Sequence, residues 1–378
     1  MARHAEIAGA GFSGLVAAVA LLQRGWTVRV HERTPLLRSE GFGISIHENG
    51  RRVFAALGAL DAIMAKSIRV HRRLVRNGSG EVTADRTGKV AVHRVSRQNI
   101  VATLAAKAAA LGGEIATDSA VASAEPEGAL VLEDGRRFKA DLIIGADGYN
   151  SRVRESVDLL AQRIVLRDGA MRLIIPRGAE ERAADPEGCA TGSENWSGTR
   201  RVVYGACAAD EVYMALSCLY GDEDGMAVPV RTDAWRRSLP YLGDAFDRID
   251  GLTEWDRVKW VRFQTIKLKR WSRGRVAIVG DAAHAMPPNL GQGGNCAIMN
   301  AFSLAVALES NNDLQVGLAL WERNERPITE YAQRWSRLYG AVTLWPERLR
   351  NAIFGMTERS SWLRSRLERT ARYVPTGV

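Results

Sequence analysis

Cysteine is scarce in this chain and badly placed for chemistry. Cys189, Cys207, Cys218 and Cys296 form no C-x-x-C pair and no metal-ligand spacing. A disulfide framework and a zinc site are therefore not supported; no metal is expected, and reduced thiols in a cytoplasmic protein are. Long apolar runs are missing as well. No stretch of ~18 uncharged apolar residues reads as a membrane span. The apolar run near the start has no small-residue cleavage site that would leave an intact fold behind, so it is not read as a signal peptide. Internal repeats and low-complexity linkers are also lacking. Negative charge is the scarcer sign: 52 Lys and Arg against 43 Asp and Glu leave +9. The arginines are scattered and no nucleic-acid-binding motif accompanies them. The excess fits an enzyme that attracts anionic cofactors and substrates, and nucleic acid is not an expected partner.

What is present begins with residues 6–33. Ile7-Ala8 is short and apolar, as a buried strand would be. Gly9-Ala10-Gly11-Phe12-Ser13-Gly14 follows, a G-x-G-x-x-G, then an apolar run over 15–22 at helical length. Residues 27–31 suit a second strand, which ends at Glu32. Strand, glycine turn, helix, strand and acid are the context a dinucleotide fingerprint requires. Gly9 permits the tight turn, Gly11 lets backbone approach a pyrophosphate, and Gly14 lets helix and strand pack closely. The helix start offers free N–H groups to the diphosphate. Glu32 stands where a carboxylate accepts from ribose hydroxyls. By itself this stretch leaves FAD and NAD both open.

At 378 residues, 46% hydrophobic and 25% charged, the chain is expected to be globular with two domains. A loop with Gly41 and Gly43 leads to a short extended piece, and 49–57 suits a helix. Residues 68–95 switch to short extended segments broken at Asn77-Gly78 and Thr87-Gly88. Arg69, His71, Arg72, Arg73 and Arg76 crowd this segment, which for most of them suits a solvated strand face. Ser96 suits an N-cap for a helix beginning at Arg97. Residues 142–144 form a buried strand that ends in Gly145-Ala146-Asp147-Gly148. From 165 to 271 the pattern is mainly β, with a helix over 233–249. The strand pattern returns at 275–281 and ends in Gly280-Asp281. A Pro/Gly-rich loop over 286–294 and a long apolar helix over 296–308 follow. The tail from Leu314 is helical, amphipathic and rich in Arg and Trp.

Three motifs therefore follow strands: Gly9-Ala10-Gly11-Phe12-Ser13-Gly14, then Gly145-Ala146-Asp147-Gly148-Tyr149-Asn150-Ser151-Arg152, then Val279-Gly280-Asp281-Ala282-Ala283-His284. They should meet at the carboxyl edge of one sheet. In this order they resemble the single-component flavoprotein aromatic hydroxylases, the p-hydroxybenzoate hydroxylase-like group, over the whole chain. Within the group, Arg172-Leu173-Ile174-Ile175-Pro176-Arg177, Arg201 with Tyr204 and Tyr213, Met299-Asn300-Ala301-Phe302 and Arg326-Pro327-Ile328-Thr329 are most similar to the 2-methyl-3-hydroxypyridine-5-carboxylate oxygenase branch. Most of the group carries an acidic pair where this chain has Asn300-Ala301. The chain departs from that branch in the flavin loop and near Arg72, where the pyridine enzymes carry a substrate-side tyrosine.

The resemblance implies an α/β fold: a Rossmann-type FAD-binding domain over 1–67, 96–164 and 272–345, an inserted β-sheet substrate domain over 68–95 and 165–271, and a C-terminal helical tail over 346–378. It implies non-covalent FAD, NADH or NADPH as a visiting reductant, and O2. Gly9, Gly11, Ser13, Gly14, Glu32, Arg33, Arg97, Val121, Asp147 and Asp281 would hold the cofactor, Arg97 at the pyrophosphate and Asp281 at the ribityl chain. Pro287 and Pro288 would run beside the isoalloxazine, with Gly291, Gly293, Gly294 and Asn295. Arg201, Tyr213 and Arg72 would contact a small anionic aromatic substrate, with Arg201 as the carboxylate anchor. A flavin C4a-hydroperoxide would transfer one oxygen to the ring, ending in a hydroxyl group or an opened ring. His284 is expected to be structural. A monomer or homodimer is expected. The absence of a second G-x-G-x-x-G argues against two-nucleotide-fold reductases, and the absence of W-x-W-x-I-P against flavin halogenases. A hydroxylase or epoxidase of larger natural products and a non-catalytic flavin-binding protein stay open as alternatives.

Overall fold

Strands buried on both faces pair in parallel, and four such strands carry the motifs. His4–Ala8, Thr27–His31, Leu142–Gly145 and Val276–Ile278 form the centre of a six-stranded sheet. Glu114–Ala116 adds one edge in parallel, and Ser272–Arg273 adds the other antiparallel. Across the sheet the order is 272–273, 276–278, 142–145, 4–8, 27–31, 114–116. The chain leaves the first strand on one side and returns on the other. That reversal opens a crevice beyond the carboxyl end of His4–Ala8. The computed structural model describes residues 2–37, 43–185 and 191–378, and of 87–91 the backbone alone; Gly41 and Cys189 lie outside it.

Helix Phe12–Leu22 packs on this sheet between helices Arg97–Ala110 and Gly293–Glu309. Its close seating depends on Gly14. A Cβ there would stand 1.9 Å from the Gly9 carbonyl oxygen.

An eight-stranded sheet unites both β-rich stretches of the sequence. Its order is Val261–Leu268, Leu160–Pro176, Glu211–Leu219, Arg200–Ala206, Thr191–Ser197, Ile68–Arg76, Val82–Val95 and Ile44–Ile46. Trp235, Phe246 and Ile249 from helices Thr232–Ser238 and Gly243–Asp250 bury part of it. Elsewhere Trp196, Tyr339 and Phe354 pack together, so helices Leu314–Ala341 and Glu347–Arg359 also close against this sheet. Val121–Glu125, Ala129–Leu132 and Arg137–Lys139 make a small third sheet.

Three local expectations are corrected. Thr87-Gly88 is not a turn: Val82–Val95 runs through it, with a register shift opposite Val70 and Arg72. A bulge absorbs extra residues without ending a strand. The helix expected over 233–249 is two helices, because Pro240 cannot donate to the preceding turn and starts a 3₁₀ turn instead. The helix expected from Cys296 begins at Gly293.

Gly14→Ala should lower the urea midpoint by the equivalent of about 1–3 kcal/mol with the slope unchanged, the usual cost of forcing atoms into a filled space. An unchanged midpoint would show that the turn relaxes away from the helix.

Candidate active site

Beyond the first strand lies a crevice of about 550 Å³. Gly9, Gly11 and Ser13 line it from the first motif, Glu32 and Arg33 from the end of the second strand, and Val121 from the small sheet. Arg97, Asp147, Asp281 and Gly294 complete the set brought together there. Gly14 lies behind the turn, in contact with Gly9. Glu32 does more than line the wall. Its carboxylate accepts from the Ala10 N–H at 3.1 Å and from the Thr34 hydroxyl at 2.9 Å, tying the glycine turn to the second strand.

The crevice wall suits a dinucleotide. Helix Phe12–Leu22 starts after Gly11 with no side-chain cap, and helix Gly293–Glu309 starts after Gln292 with none. Their first N–H groups are open to an anionic or electron-rich ligand. A Cβ on Gly11 or Gly148 would meet nothing within 4 Å, so space remains at both backbones. Asp147 uses Oδ2 on the Arg152 N–H at 2.7 Å, while its buried Oδ1 has no partner among the described residues. Asp281 is walled in by protein yet open to the crevice. Burial pushes its carboxyl above the ordinary range, and Arg97 and Arg172 oppose that shift. Arg97 also lies over the Phe12 ring, 5.5 Å from its centroid.

A second cavity, about 120 Å³, opens against the eight-stranded sheet. Arg201, Tyr213, Pro288 and Gly291 line it. Arg201 and Val203 share its face, while Tyr204 points away and donates to Glu181. The strand Ile44–Ile46 divides the two spaces by its alternation: Ile44 lines the crevice, and Gly43, Ser45 and His47 line the cavity. The loop after Asp281 does the same, with Pro288 and Gly291 on the cavity and Gly294 on the crevice.

Arg72 is not at this cavity. It is half exposed and bonds Asp85 at 2.9 Å. The register shift beside it changes the strand's phase, so Arg73 lines the cavity instead. Neighbours in sequence face opposite ways on a strand, and a bulge cannot be read from a run of basic residues. The same reading missed Arg86, Arg94, His47 and Glu194, which also line the cavity. Burial first, and Arg73 second, push the His47 imidazole down to about 3, so it is neutral.

Pro287, Gly293 and Asn295 line neither space. Pro287 is buried at the start of the 3₁₀ turn Pro288–Leu290. Asn295 is wholly engaged with backbone: its amide donates to the carbonyls of Ser45 and Gly291 at 2.9 and 2.8 Å, and its oxygen accepts from the His47 N–H at 3.0 Å. It clamps the loop to the dividing strand. Asn289 pins the same loop to the long helix through the Ser336 carbonyl at 2.9 Å. His284 is buried beside Trp271, and the Asn300 amide donates to its Nε2 at 2.9 Å. Burial pushes its imidazole down to about 4.

Residues 4–313 match the family described as FAD binding domain. A 2-heptyl-3-hydroxy-4(1H)-quinolone synthase of Mycobacteroides abscessus is 35% identical over 365 residues, covering 94% of this chain and 95% of that one. A 6-hydroxynicotinate 3-monooxygenase of Pseudomonas fluorescens is 29% identical over 365 residues, covering 87% and 89%. Among solved structures, the tetrameric form of 2-methyl-3-hydroxypyridine-5-carboxylic acid oxygenase superposes with a TM-score of 0.86 at 35% identity, covering 98% of this chain and 96% of that one. Among the described residues no helix is long and apolar enough to cross a membrane.

Asp281→Ala removes a charged acceptor from the crevice. Retention of FAD should weaken roughly 10- to 100-fold, measured by fluorescence of released flavin during dialysis. Equal retention would remove Asp281 from the cofactor site. His284 makes a second prediction. Its folded pKa of about 4 lies below the ordinary 6.5. The unfolded chain therefore takes the proton first as pH falls. The imidazole's contribution is complete above pH 6.5 and declines, by about 3 kcal/mol in all, as pH falls to about 4. His284→Asn should flatten that limb of the stability profile relative to wild type. Parallel profiles would show that this imidazole does not titrate there.

Proposed function

Because the chain belongs to the FAD binding domain family and is an FAD-dependent monooxygenase, we propose that it oxygenates a small anionic aromatic or pyridine ring held in the arginine-lined cavity. The observation that carries this reading is the shared wall. The strand Ile44–Ile46 and the loop at 288–294 each face the cofactor crevice on one side and the cavity on the other. A ring in the cavity would lie next to whatever the crevice presents at that wall.

FAD, reduced by NADH or NADPH, supplies the activation of O2 that no side chain here can supply. The protein's part is holding and orientation. The open helix starts at Phe12 and Gly293, with Arg97, would face the cofactor's negative charge. The clamp by Asn295 and the pin by Asn289 hold the dividing loop in register with the strand. A fixed wall of this kind converts a collision into an oriented approach. On the cavity side, Tyr213 offers a phenol and an aromatic face, and arginine gives a carboxylate two charge-assisted bonds.

Size and charge together favour a one-ring acid. Drug-sized ligands occupy roughly 300–1,000 Å³, and this cavity is about 120 Å³. An alkylated two-ring quinolone would have to displace side chains, and it carries no anion for the arginines.

The test is a screen for stimulated NADH and NADPH oxidation with hydroxylated benzoates, hydroxypyridine carboxylates and 2-heptyl-4-quinolone, with products identified by mass. The one-ring acids should stimulate oxidation and gain one oxygen atom or an opened ring. Stimulation by the neutral quinolone, with none by the acids, would replace this substrate class with the other.

A further inference from the structure

We propose that Arg73 and Arg94, rather than Arg201, form the subsite that takes the substrate's carboxylate. This rests on the reading of the cavity as the place of an anionic aromatic ring. It changes which side chains select that anion.

Four arginines line the cavity: Arg73, Arg86, Arg94 and Arg201. Two of them already have carboxylate partners. Arg86 bonds Glu358 at 3.1 Å and reaches the Thr357 hydroxyl at 3.3 Å. Arg201 faces Glu194 at 3.4 Å and lies over the Trp196 ring at 4.9 Å; burial raises the Asp168 carboxyl, and Arg201 opposes that shift. Glu194 is itself held, accepting from the Tyr339 hydroxyl at 2.9 Å. A ligand carboxylate on Arg201 would compete with Glu194.

Among the described residues the other two arginines have no carboxylate within 4 Å, and Glu194 and Glu368 act on Arg73 only from farther away. Among the described residues Arg73 has no ion pair within 4 Å and no hydrogen bond. Arg94 is 8% exposed, and among the described residues its one hydrogen bond is to the Ala206 carbonyl at 3.0 Å. A buried cation without a counter-charge is costly, so such groups are found paired or facing a ligand.

The backbone is built to place them together. Gly192 is the register partner of Arg73, and Gly205 is that of Tyr213. A Cβ on Gly192 would stand 2.3 Å from Arg94 Nη2, and one on Gly205 would stand 2.0 Å from Nη1. The Arg94 guanidinium therefore lies flat over two glycines, in the row between Arg73 and Tyr213. Any side chain at either glycine would occupy its place. Burial first, and Arg73 second, lower the Arg94 pKa to about 10, so the group stays charged at neutral pH and repels its neighbour. An anion between them would relieve that repulsion.

The test compares hydroxylated benzoates and pyridine carboxylates with their neutral carboxamides, using the holoenzyme and perturbation of flavin absorbance to read affinity. Wild type should prefer the acids. Arg94→Met and Arg73→Met should each weaken acid binding roughly 30-fold or more, with amide binding little changed. Arg201→Met should cost the acid preference several-fold less. Arg94→Lys should restore part of the preference. Gly205→Ala, which displaces the Arg94 guanidinium without removing its charge, gives an independent reading if Arg94→Met fails to fold. A loss of acid preference confined to Arg201→Met would overturn the proposal while leaving the oxygenase reading intact. Acids that bind wild type no better than amides would overturn it together with the anionic-substrate reading.

Discussion

A parallel sheet meets its ligand with helix starts, and this protein keeps the relevant starts bare. Gly11, Gly280 and Gln292 precede helices at the crevice, and none offers a side-chain cap. Helices that begin at Arg97, Arg152, Leu314 and Ser361 are capped by Ser96, Ser151, Asp313 and Ser360. A missing cap costs about 1 kcal/mol. At the crevice it leaves backbone N–H groups free to meet an anion, although bare starts also occur away from it, as at Glu48 and Glu347. At Arg97 the helix start is closed by Ser96, and it is the side chain that lines the crevice. The close contact of Gly14 with Gly9 serves the same constraint, because it brings the first bare start up against the end of the strand.

The second sheet handles charge in the opposite way. Its cavity face carries guanidinium groups among apolar residues and few acids. Glu194 and Glu358 answer two of them, and aromatic faces share the load, with Trp196 under both Arg201 and Arg350. Packing around these charges is close, so their positions are set by neighbours rather than by solvent. Glycines at 192 and 205 are part of that packing: they are defined by the side chain that lies across them.

Between the two sheets the chain uses amides rather than charges. Asn295 and Asn289 bond only main-chain carbonyls and N–H groups, and they tie the 288–291 loop to the dividing strand and to the long helix. Neutral bonds of this kind do not vary with pH or salt as ion pairs do. The helices after Leu314 therefore contribute to the site as well as to the outer shell, since Ser336 and Tyr339 belong to Leu314–Ala341.

The crevice at the sheet's edge was legible in the sequence because its parts are local. A glycine turn, a strand end and an acid lie within residues 6–33, and the Gly-Asp motifs at 147 and 281 each follow their own apolar strand. The periodicity that buries those strands also orders them, so the motif residues from Gly9 to Asp281 come to line one crevice. The cavity was not legible in the same way. Its arginines come from separate strands, and whether a strand residue faces in or out depends on register. One shift beside Val70 turned Arg72 outward and Arg73 inward. The pairing of Arg201 with Glu194 and the seat of Arg94 over Gly192 and Gly205 arise only when distant strands are laid side by side. Local pattern determined the crevice edge; tertiary register decided which charges meet across the sheet, because a one-residue change of phase moves a side chain to the opposite face.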